Sequence, residues 1–248
     1  MDLSELLRAD ERIDDLQRFG LKIIQHPKQF RFSTDAVLIS EYATVKPRDR
    51  VIDLGTGSGI IPLLVYGRRK PHEIVGLEIV SEMADMASRS VKLNGLCEKI
   101  KIVNGNILDA CELFGKESFD SVISNPPYIK AGSGELNAKI ELSLARHEVL
   151  CKLVDIIDVS AKLLKSKGRL SLIHRPARLS EIIHHMMNAK LQPTRLRMVQ
   201  PFEGVEPNMV MIEAEKGSLR ELKVSPPLII YKSPGEYTEE TKKIYNES

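Results

Sequence analysis

Cysteine is scarce in this chain of 248 residues. The three cysteines, Cys97, Cys111 and Cys151, are odd in number and widely spaced, and no Cys-x-x-Cys pair occurs. This pattern argues against a disulfide framework and against a zinc site with cysteine ligands. We therefore expect free or buried thiols in a protein of the reducing cytoplasm.

Long apolar runs are absent as well. No stretch approaches the roughly 18 consecutive apolar residues of a membrane-spanning helix, so we expect no membrane partner. The N-terminal residues Met1-Asp2-Leu3-Ser4-Glu5 lack the basic and apolar run of a signal peptide. A hydrophobic content of 42% and a charged content of 28% are typical of a soluble globular protein, here long enough for one large α/β domain.

Net charge is also small, at +2, and by itself it predicts no polyanionic partner. Its distribution is uneven, because the segment from Ala161 to Gln200 carries a net charge of +8 with Glu181 as its one acid. The nine basic residues of this segment are Lys162, Lys165, Lys167, Arg169, Arg175, Arg178, Lys190, Arg195 and Arg197. A clustered basic face favours contact with a phosphate backbone. The alternative is a solvated face whose counter-charges lie elsewhere in the fold.

Strand and helix patterns alternate from Arg50 onward. Seven strands are predicted, at Val51–Leu54, Glu73–Ile79, Lys99–Val103, Ser118–Ser124, Gly168–Ile173, Thr194–Val199 and Asn208–Ala214. The predicted helices are Ala36–Ala43, a helix from about Gly59, Ser81–Asn94, Glu148–Leu164 and Leu179–Asn188. Repeated βα units predict a mostly parallel sheet with helices on both faces. We divide the chain into a lead-in (1–32), the α/β domain (33–216) and a tail packed on that domain (217–248).

The most informative motif is Asn125-Pro126-Pro127-Tyr128, directly after a predicted buried strand. In an open α/β sheet, ligands bind at the carboxyl ends of the strands. The two prolines stiffen the turn and carry no N–H, so the Asn125 side-chain oxygen and the Pro126 carbonyl can accept both hydrogens of a planar amine or carboxamide. Tyr128 can stack on the group that carries the amine. A plain proline-rich surface turn is the alternative.

A glycine-rich segment, Asp53-Leu54-Gly55-Thr56-Gly57-Ser58-Gly59, follows the first strand of the alternating pattern. Gly55 and Gly57 allow close approach to a ligand, and Gly59 allows tight helix–strand packing. Asp53 disfavours a pyrophosphate and suits a cationic ligand, while Glu78 at the end of the next strand can bind ribose hydroxyls. Together they favour S-adenosylmethionine over a nicotinamide dinucleotide.

The combination of these two motifs with Glu78 resembles the Rossmann-fold N-methyltransferases that modify amino groups of adenine, guanine or glutamine. The segment Gln29-Phe30-Arg31-Phe32-Ser33-Thr34-Asp35-Ala36-Val37-Leu38 is similar to the tRNA (adenine-N6)-methyltransferase family that acts on adenosine 37 in the anticodon loop of a valine tRNA. Further similarity to that family lies in Ala145-Arg146-His147-Glu148, His174-Arg175-Pro176, Glu206-Pro207-Asn208 and Gly235-Glu236-Tyr237. The resemblance covers the chain from about Glu11 to Tyr245.

This resemblance implies a Rossmann-like S-adenosylmethionine-dependent methyltransferase fold and assigns roles to particular residues. Asp53, Gly55 and Gly57 would line the methionine part of the cofactor, Glu78 would hold the ribose, and Thr34 and Asp35 would close the site. Many relatives have an aspartate after the third strand for the adenine amine. This chain has Asn106 there, which can accept through its amide oxygen, and Asp109 is a second candidate. Asn125 through Tyr128 would form the catalytic turn, with Asn125 also next to the cofactor.

For the acceptor, we expect a tRNA that is contacted by the arginines Arg146, Arg175, Arg178, Arg195 and Arg197. Glutamine N5-methylation of a release factor and guanine-N2 methylation of ribosomal RNA stay open, because the same turn binds a carboxamide or a guanine amine. A nonenzymatic RNA-binding or NAD-binding module is a further alternative. His184 and His185 lack ligand partners at metal spacing, so we expect no metal. The oligomeric state is not determined by the sequence, and we expect a monomer.

Overall fold

The structure, a computed structural model, describes residues 6–26, 34–127 and 152–245. Strands within these ranges are β1 (Arg12–Asp15), β2 (Lys22–Gln25), β3 (Arg50–Leu54), β4 (Glu73–Glu78), β5 (Ile100–Asn104), β6 (Phe119–Ser124), β7 (Leu164–His174), β8 (Leu191–Gln200), β9 (Met209–Lys216), β10 (Lys223–Ile229), β11 (Tyr231–Ser233) and β12 (Glu236–Tyr237). Helices are α1 (Thr34–Tyr42), α2 (Ile60–Arg69), α3 (Ser81–Leu93), α4 (Ala110–Phe114), α5 (Leu153–Leu163), α6 (Leu179–Asn188) and α7 (Glu239–Tyr245). Short 3-10 turns lie at Ile107–Asp109 and Pro176–Arg178.

One eight-stranded sheet organises the described chain, in the order β10-β8-β9-β7-β6-β3-β4-β5. The five strands from β5 to β7 are mutually parallel, and β9 alone runs antiparallel to its neighbours β7 and β8. The chain order reverses direction in the sheet between β3 and β6, because β4 and β5 lie on one side of β3 and the later strands on the other. A cleft for a ligand is expected at such a reversal point.

Each face of the sheet is covered by its own hydrophobic core. On one face, Val51 and Ile123 of the sheet pack with residues of α1 and α2 and with Val91 of α3. On the other face, Ile52 and Val122 pack with residues of α4, α5 and α6. The alternation of side chains along each strand explains this division, since successive residues point to opposite faces.

All seven predicted strands are present, and the prediction of a mostly parallel α/β sheet with helices on both faces is confirmed. The eighth strand, β10, comes from the segment that we predicted as a tail, and it pairs in parallel with β8 at the sheet edge. Pro226 and Pro227 interrupt its register, which an edge position tolerates because only one side of an edge strand is hydrogen-bonded.

The two terminal segments pack on the body of the fold. The β1–β2 hairpin is tied to α3 by a 3.0 Å hydrogen bond from the Ile24 N–H to Ser90 Oγ and by the ion pair of Arg89 with Glu11, the residue before β1. Helix α7 is tied to β8 by a bidentate ion pair of Glu240 with Arg197, at 2.7 and 2.8 Å. The boundaries 1–32, 33–216 and 217–248 stay predictions.

Candidate functional site

The site is built where β3 and β6 end side by side. Asp53 pairs with Ile123 in the sheet, so the chain leaves β3 at Gly55 next to the point where it leaves β6 at Asn125. The buried Ser124 hydroxyl donates to the Leu54 carbonyl at 2.8 Å and joins the two strand ends. The structure therefore brings the glycine-rich segment and the Asn125–Pro127 turn to the same edge of the sheet.

Hydrogen bonds to β4 fix the glycine-rich loop. The N–H groups of Gly55 and Thr56 both donate to the Leu77 carbonyl, at 2.9 and 3.0 Å. Gly55 and Gly57 have φ of +79° and +56°, in the left-handed region that favours glycine, and a Cβ on Gly55 would meet no other atom within 4 Å. The loop thus presents bare backbone to open space, as a close-fitting ligand requires.

Gly59 has a packing role that differs in one detail from our expectation. A Cβ at this position would lie 3.0 Å from the Cβ of Ala87 in α3, so glycine here permits close approach of two helices rather than of a helix and a strand.

Glu78 lies at the end of β4 and is 5% exposed. Its two carboxylate oxygens accept the N–H groups of Gly57 and Val80, at 2.8 and 2.9 Å. Each oxygen keeps a further lone pair that can accept from a hydroxyl, as a ribose would require. Asn104 supports this strand end by donating from its side chain to the carbonyls of Glu78 and Ile79. The sequence motif indicated a ribose contact but not that Glu78 also braces the loop.

Asp53 is the most unusual charged group of the site. It is 1% exposed, and within the described part of the chain neither of its carboxylate oxygens has a hydrogen-bond partner of normal geometry; the same holds for the nearby Thr56 hydroxyl. Burial raises the pKa of Asp53 to about 7; the proximity of Thr56 opposes this shift, and the nearby Glu78 carboxylate adds to it. A buried acceptor of this kind is costly unless a donor is supplied, and an ammonium group is the natural donor.

Asn106 begins the 3-10 turn after β5. Its side-chain oxygen accepts the Leu108 N–H at 3.0 Å, so this capping bond already uses one of the two lone pairs with which we expected it to accept an adenine amine. The amide NH₂ group of Asn106 offers a donor as well. Asp109, the second candidate, is exposed at the end of the same turn.

Thr34 and Asp35 form the start of α1 and are partly buried. Helix α1 ends at Tyr42, shortly before β3 begins at Arg50. Its last turn therefore lies toward the amino ends of the parallel strands, and its first turn lies toward their carboxyl ends, where Gly55 and Asn125 are found.

The acceptor turn is described up to Pro127, and Pro126 is buried while Asn125 and Pro127 are partly buried. Tyr128 and Arg146, which we also predicted as site residues, lie outside the described residues.

Intramolecular ion pairs engage several arginines of the basic segment. Arg195 donates to Thr44 Oγ1 at 2.7 Å and lies 3.5 Å from the buried Glu213 carboxylate. Arg197 pairs with Glu240, and Arg178 pairs with Glu181 at 2.5 and 2.8 Å. Arg178, Arg195 and Arg197 therefore have counter-charges within the protein, which is the alternative to a phosphate-binding face.

Arg175 has a different setting. It is exposed and follows β7 directly, so it stands at the same edge of the sheet as Asn125. Its guanidinium donates to the Asn208 carbonyl at 3.3 Å.

These residues fit S-adenosylmethionine by their donor and acceptor chemistry. The buried Asp53 carboxylate matches an ammonium group, Glu78 matches vicinal hydroxyls, and the Gly55–Gly57 backbone leaves space for the ligand. No cluster of metal-ligating side chains occurs in residues 6–26, 34–127 and 152–245. Over the same ranges, no helix has the length and apolar content to cross a bilayer.

Comparisons with known proteins agree with this arrangement. Residues 33–196 match the family model described as methyltransferase small domain. A tRNA1(Val) (adenine(37)-N6)-methyltransferase of Porphyromonas gingivalis is 29% identical over 218 residues, which cover 85% of each chain. A protein of the same name from Shewanella baltica is 26% identical over 83% of this chain and 86% of its own. Among solved structures, a predicted O-methyltransferase of Agrobacterium tumefaciens has a TM-score of 0.69 at 26% identity and covers 86% of this chain and 96% of its own.

Proposed function

Because this chain belongs to the methyltransferase small domain family, we propose that it methylates the N6 amino group of an adenosine in tRNA with S-adenosylmethionine as the methyl donor. The acceptor is adenosine 37 in the anticodon loop of a valine tRNA, as the names of the Porphyromonas and Shewanella relatives suggest. One observation carries the proposal: the buried Asp53 carboxylate, which has no hydrogen-bond partner of normal geometry in the described part of the chain, and the Asn125–Pro127 turn lie at the ends of adjacent strands, at the reversal point of the sheet.

The donor half of the site holds the cofactor through this chain's own charges. When bound, S-adenosylmethionine supplies a methyl group made electrophilic by a positively charged sulfur. Asp53 accepts from the ammonium group, and Glu78 accepts from the ribose hydroxyls with the lone pairs that its two backbone contacts leave over. The Gly55–Gly57 backbone lets the ligand approach closely, Asn106 contacts the adenine, and Thr34 and Asp35 close the site from the start of α1.

The acceptor half prepares a poor nucleophile. The lone pair of an exocyclic amine is delocalised into its ring, so the amine must be held and polarised before transfer. The Asn125 side-chain oxygen and the Pro126 carbonyl accept its two hydrogens, which draws the nitrogen toward tetrahedral geometry and stabilises the developing positive charge. A general base is unnecessary before transfer, since the methylated ammonium loses its proton readily. In-line placement of the two reactants supplies much of the acceleration.

The target base has to unstack from the anticodon loop before methylation, because the Asn125–Pro127 turn cannot reach N6 of a base that is still stacked. Tyr128 stacks on the extruded base in this proposal. Arg175 is the described arginine that we assign to RNA contact, given its exposure at the same edge as Asn125. We assign Arg146 the same role, and we propose that the protein acts as a monomer in the cytoplasm.

Nucleoside mass spectrometry of tRNA from cells with and without the gene tests the proposal. We expect N6-methyladenosine to disappear from valine tRNA when the gene is deleted and to return with the wild-type gene. An unchanged tRNA profile, together with lost glutamine methylation of a release factor or lost N2-methylguanosine in ribosomal RNA, would replace the adenosine by one of those acceptors.

A further inference from the structure

His174 is a buried titratable residue that the proposed chemistry does not use. It is the last residue of β7 and is 1% exposed. Its Nδ1 accepts the N–H of Arg175 at 2.8 Å, and that N–H belongs to the residue that precedes the Pro176–Arg178 turn. A ring nitrogen that accepts a hydrogen bond carries no proton, so the neutral ring has its proton on Nε2.

The charge state of the ring agrees with this tautomer. Burial, with the positive charge of Arg178 adding to it, lowers the pKa of His174 to about 4, although the Glu181 carboxylate opposes the shift. The ring is therefore neutral near pH 7. Its Nδ1 is engaged and its Nε2 is protonated, so it cannot serve as a proton acceptor for the substrate amine.

The sheet register places His174 beside the acceptor turn. In the parallel pair of β6 and β7, Val122 is opposite Leu170 and Ser124 is opposite Leu172. Extending this register one pair past the end of β6 brings Pro126 next to His174, the last residue of the adjacent strand. Both residues are buried, and the alternation along β7 puts the His174 side chain on the face that carries Leu170 and Leu172.

We propose that His174 is a positioning residue, which holds the Asn125–Pro127 turn through the Nε2–H side of its ring while Nδ1 fixes the chain at Arg175. The inference rests on the proposed function, because it gives the turn a task that requires exact placement of the Pro126 carbonyl. A small displacement of that acceptor weakens polarisation of the amine without disturbing the cofactor half of the site, which lies on β3 and β4.

Three substitutions at His174 distinguish the roles of its two ring nitrogens. His174→Asn keeps an acceptor near the Nδ1 position, His174→Gln places an amide donor near the Nε2 position, and His174→Phe keeps the ring without either. His184→Gln is the matched control, since His184 is exposed on α6 and is near the Asn188 side chain. The readouts are kcat on the tRNA, affinity for S-adenosylhomocysteine by calorimetry, and melting temperature.

We expect kcat to fall about tenfold in the Asn and Phe variants and less in the Gln variant, with cofactor affinity kept and the control unchanged. Wild-type kcat in His174→Asn would overturn the proposal, because only the Nδ1 contact would then matter. Losses of kcat that run parallel to losses of cofactor affinity and melting temperature in all three variants would also overturn it.

A measurement without turnover keeps this inference separate from the proposed function. Nitrogen-15 NMR of histidine-labelled wild-type protein at pH 7 should show His174 as the neutral Nε2–H tautomer, whether or not the substrate is an adenosine. An Nδ1–H tautomer or a charged ring would overturn the proposal, whereas failure of wild-type protein to methylate any tRNA would count against the proposed function alone.

Discussion

Because the Asp53 carboxylate is buried, we predict that the protein without bound cofactor becomes more stable when asparagine replaces this residue. Replacement of Asp53 by asparagine keeps the shape of the side chain but removes a charge that is 1% exposed and unpartnered within the described residues. The folded-state pKa of Asp53 is about 7, against 3.8 for an ordinary aspartate. That difference of about three pH units corresponds to roughly 4 kcal/mol of folding free energy.

The sign follows from the direction of the pKa shift. A carboxyl group whose pKa is raised on folding binds its proton more tightly in the folded state, so raising the pH between about 4 and 7 destabilises the fold. The penalty is nearly complete above pH 7 and is about two-fifths as large at pH 5. We therefore expect Asp53→Asn to be more stable than wild type without cofactor, and by a wider margin at pH 8 than at pH 5.

Urea unfolding of both proteins at pH 5 and pH 8 measures this difference. Asp120→Asn is a control of opposite sign, because its contacts with Arg50 and Lys165 outweigh partial burial and lower the pKa of Asp120. Asp120→Asn should be less stable than wild type by nearly the same margin at pH 5 and pH 8, because a lowered pKa leaves Asp120 ionised at both pH values. An Asp53→Asn protein that is less stable than wild type at pH 8, or whose margin does not change with pH, would refute the reasoning. Calorimetry should show that Asp53→Asn binds S-adenosylhomocysteine more weakly than wild type does.

Three further predictions concern packing and charge. Gly59→Ala should cost roughly 2–3 kcal/mol of unfolding free energy in urea titrations and Gly55→Ala only about 1, because both impose strain at positive φ but only the first drives a Cβ into α3; equal losses would contradict the packing argument. Arg195→Ala should lower stability by roughly 1–3 kcal/mol, since it leaves the buried Glu213 short of a partner, while filter-binding affinity for tRNA stays near wild type. Arg175→Ala should instead weaken tRNA binding and reduce the salt-dependence slope of that binding by about 1, with a melting temperature near wild type. Loss of tRNA binding in Arg195→Ala but not in Arg175→Ala would show that Arg195 contacts the RNA and Arg175 does not.

The sheet was predictable because its signals are local. Each βα unit of the central region carries an apolar strand, a glycine or asparagine boundary and a helical pattern within about 25 residues of sequence, which is the form of signal that periodicity detects. Strand β10 escaped prediction because Pro226 and Pro227 argue against a strand, and only its edge position makes them acceptable. The β1–β2 hairpin escaped for a similar reason, since Arg12–Asp15 is too short and too polar to alternate clearly.

The site was predictable in its parts and not in its electrostatics. The motifs place Asp53, Glu78 and Asn125 at three strand ends, and the sheet topology then brings those ends together. The charge count between Ala161 and Gln200 could not show that Glu213 and Glu240 neutralise Arg195 and Arg197, because both partners are distant in sequence. Nor does a sequence reveal that Asp53 has no hydrogen-bond partner of normal geometry among the residues that the structure describes, because this depends on which donors the fold brings near it.

The central claim is that the Asn125–Pro127 turn is the acceptor half of a methyl-transfer site. Its most direct test is methylation of valine tRNA from a deletion strain by purified wild-type and Asn125→Ala proteins, followed by nucleoside mass spectrometry and calorimetry with S-adenosylhomocysteine. We predict N6-methyladenosine with the wild type and none with the variant, whose affinity for the cofactor product stays within a few-fold of wild type. Undiminished N6-methyladenosine formation by Asn125→Ala would contradict the account.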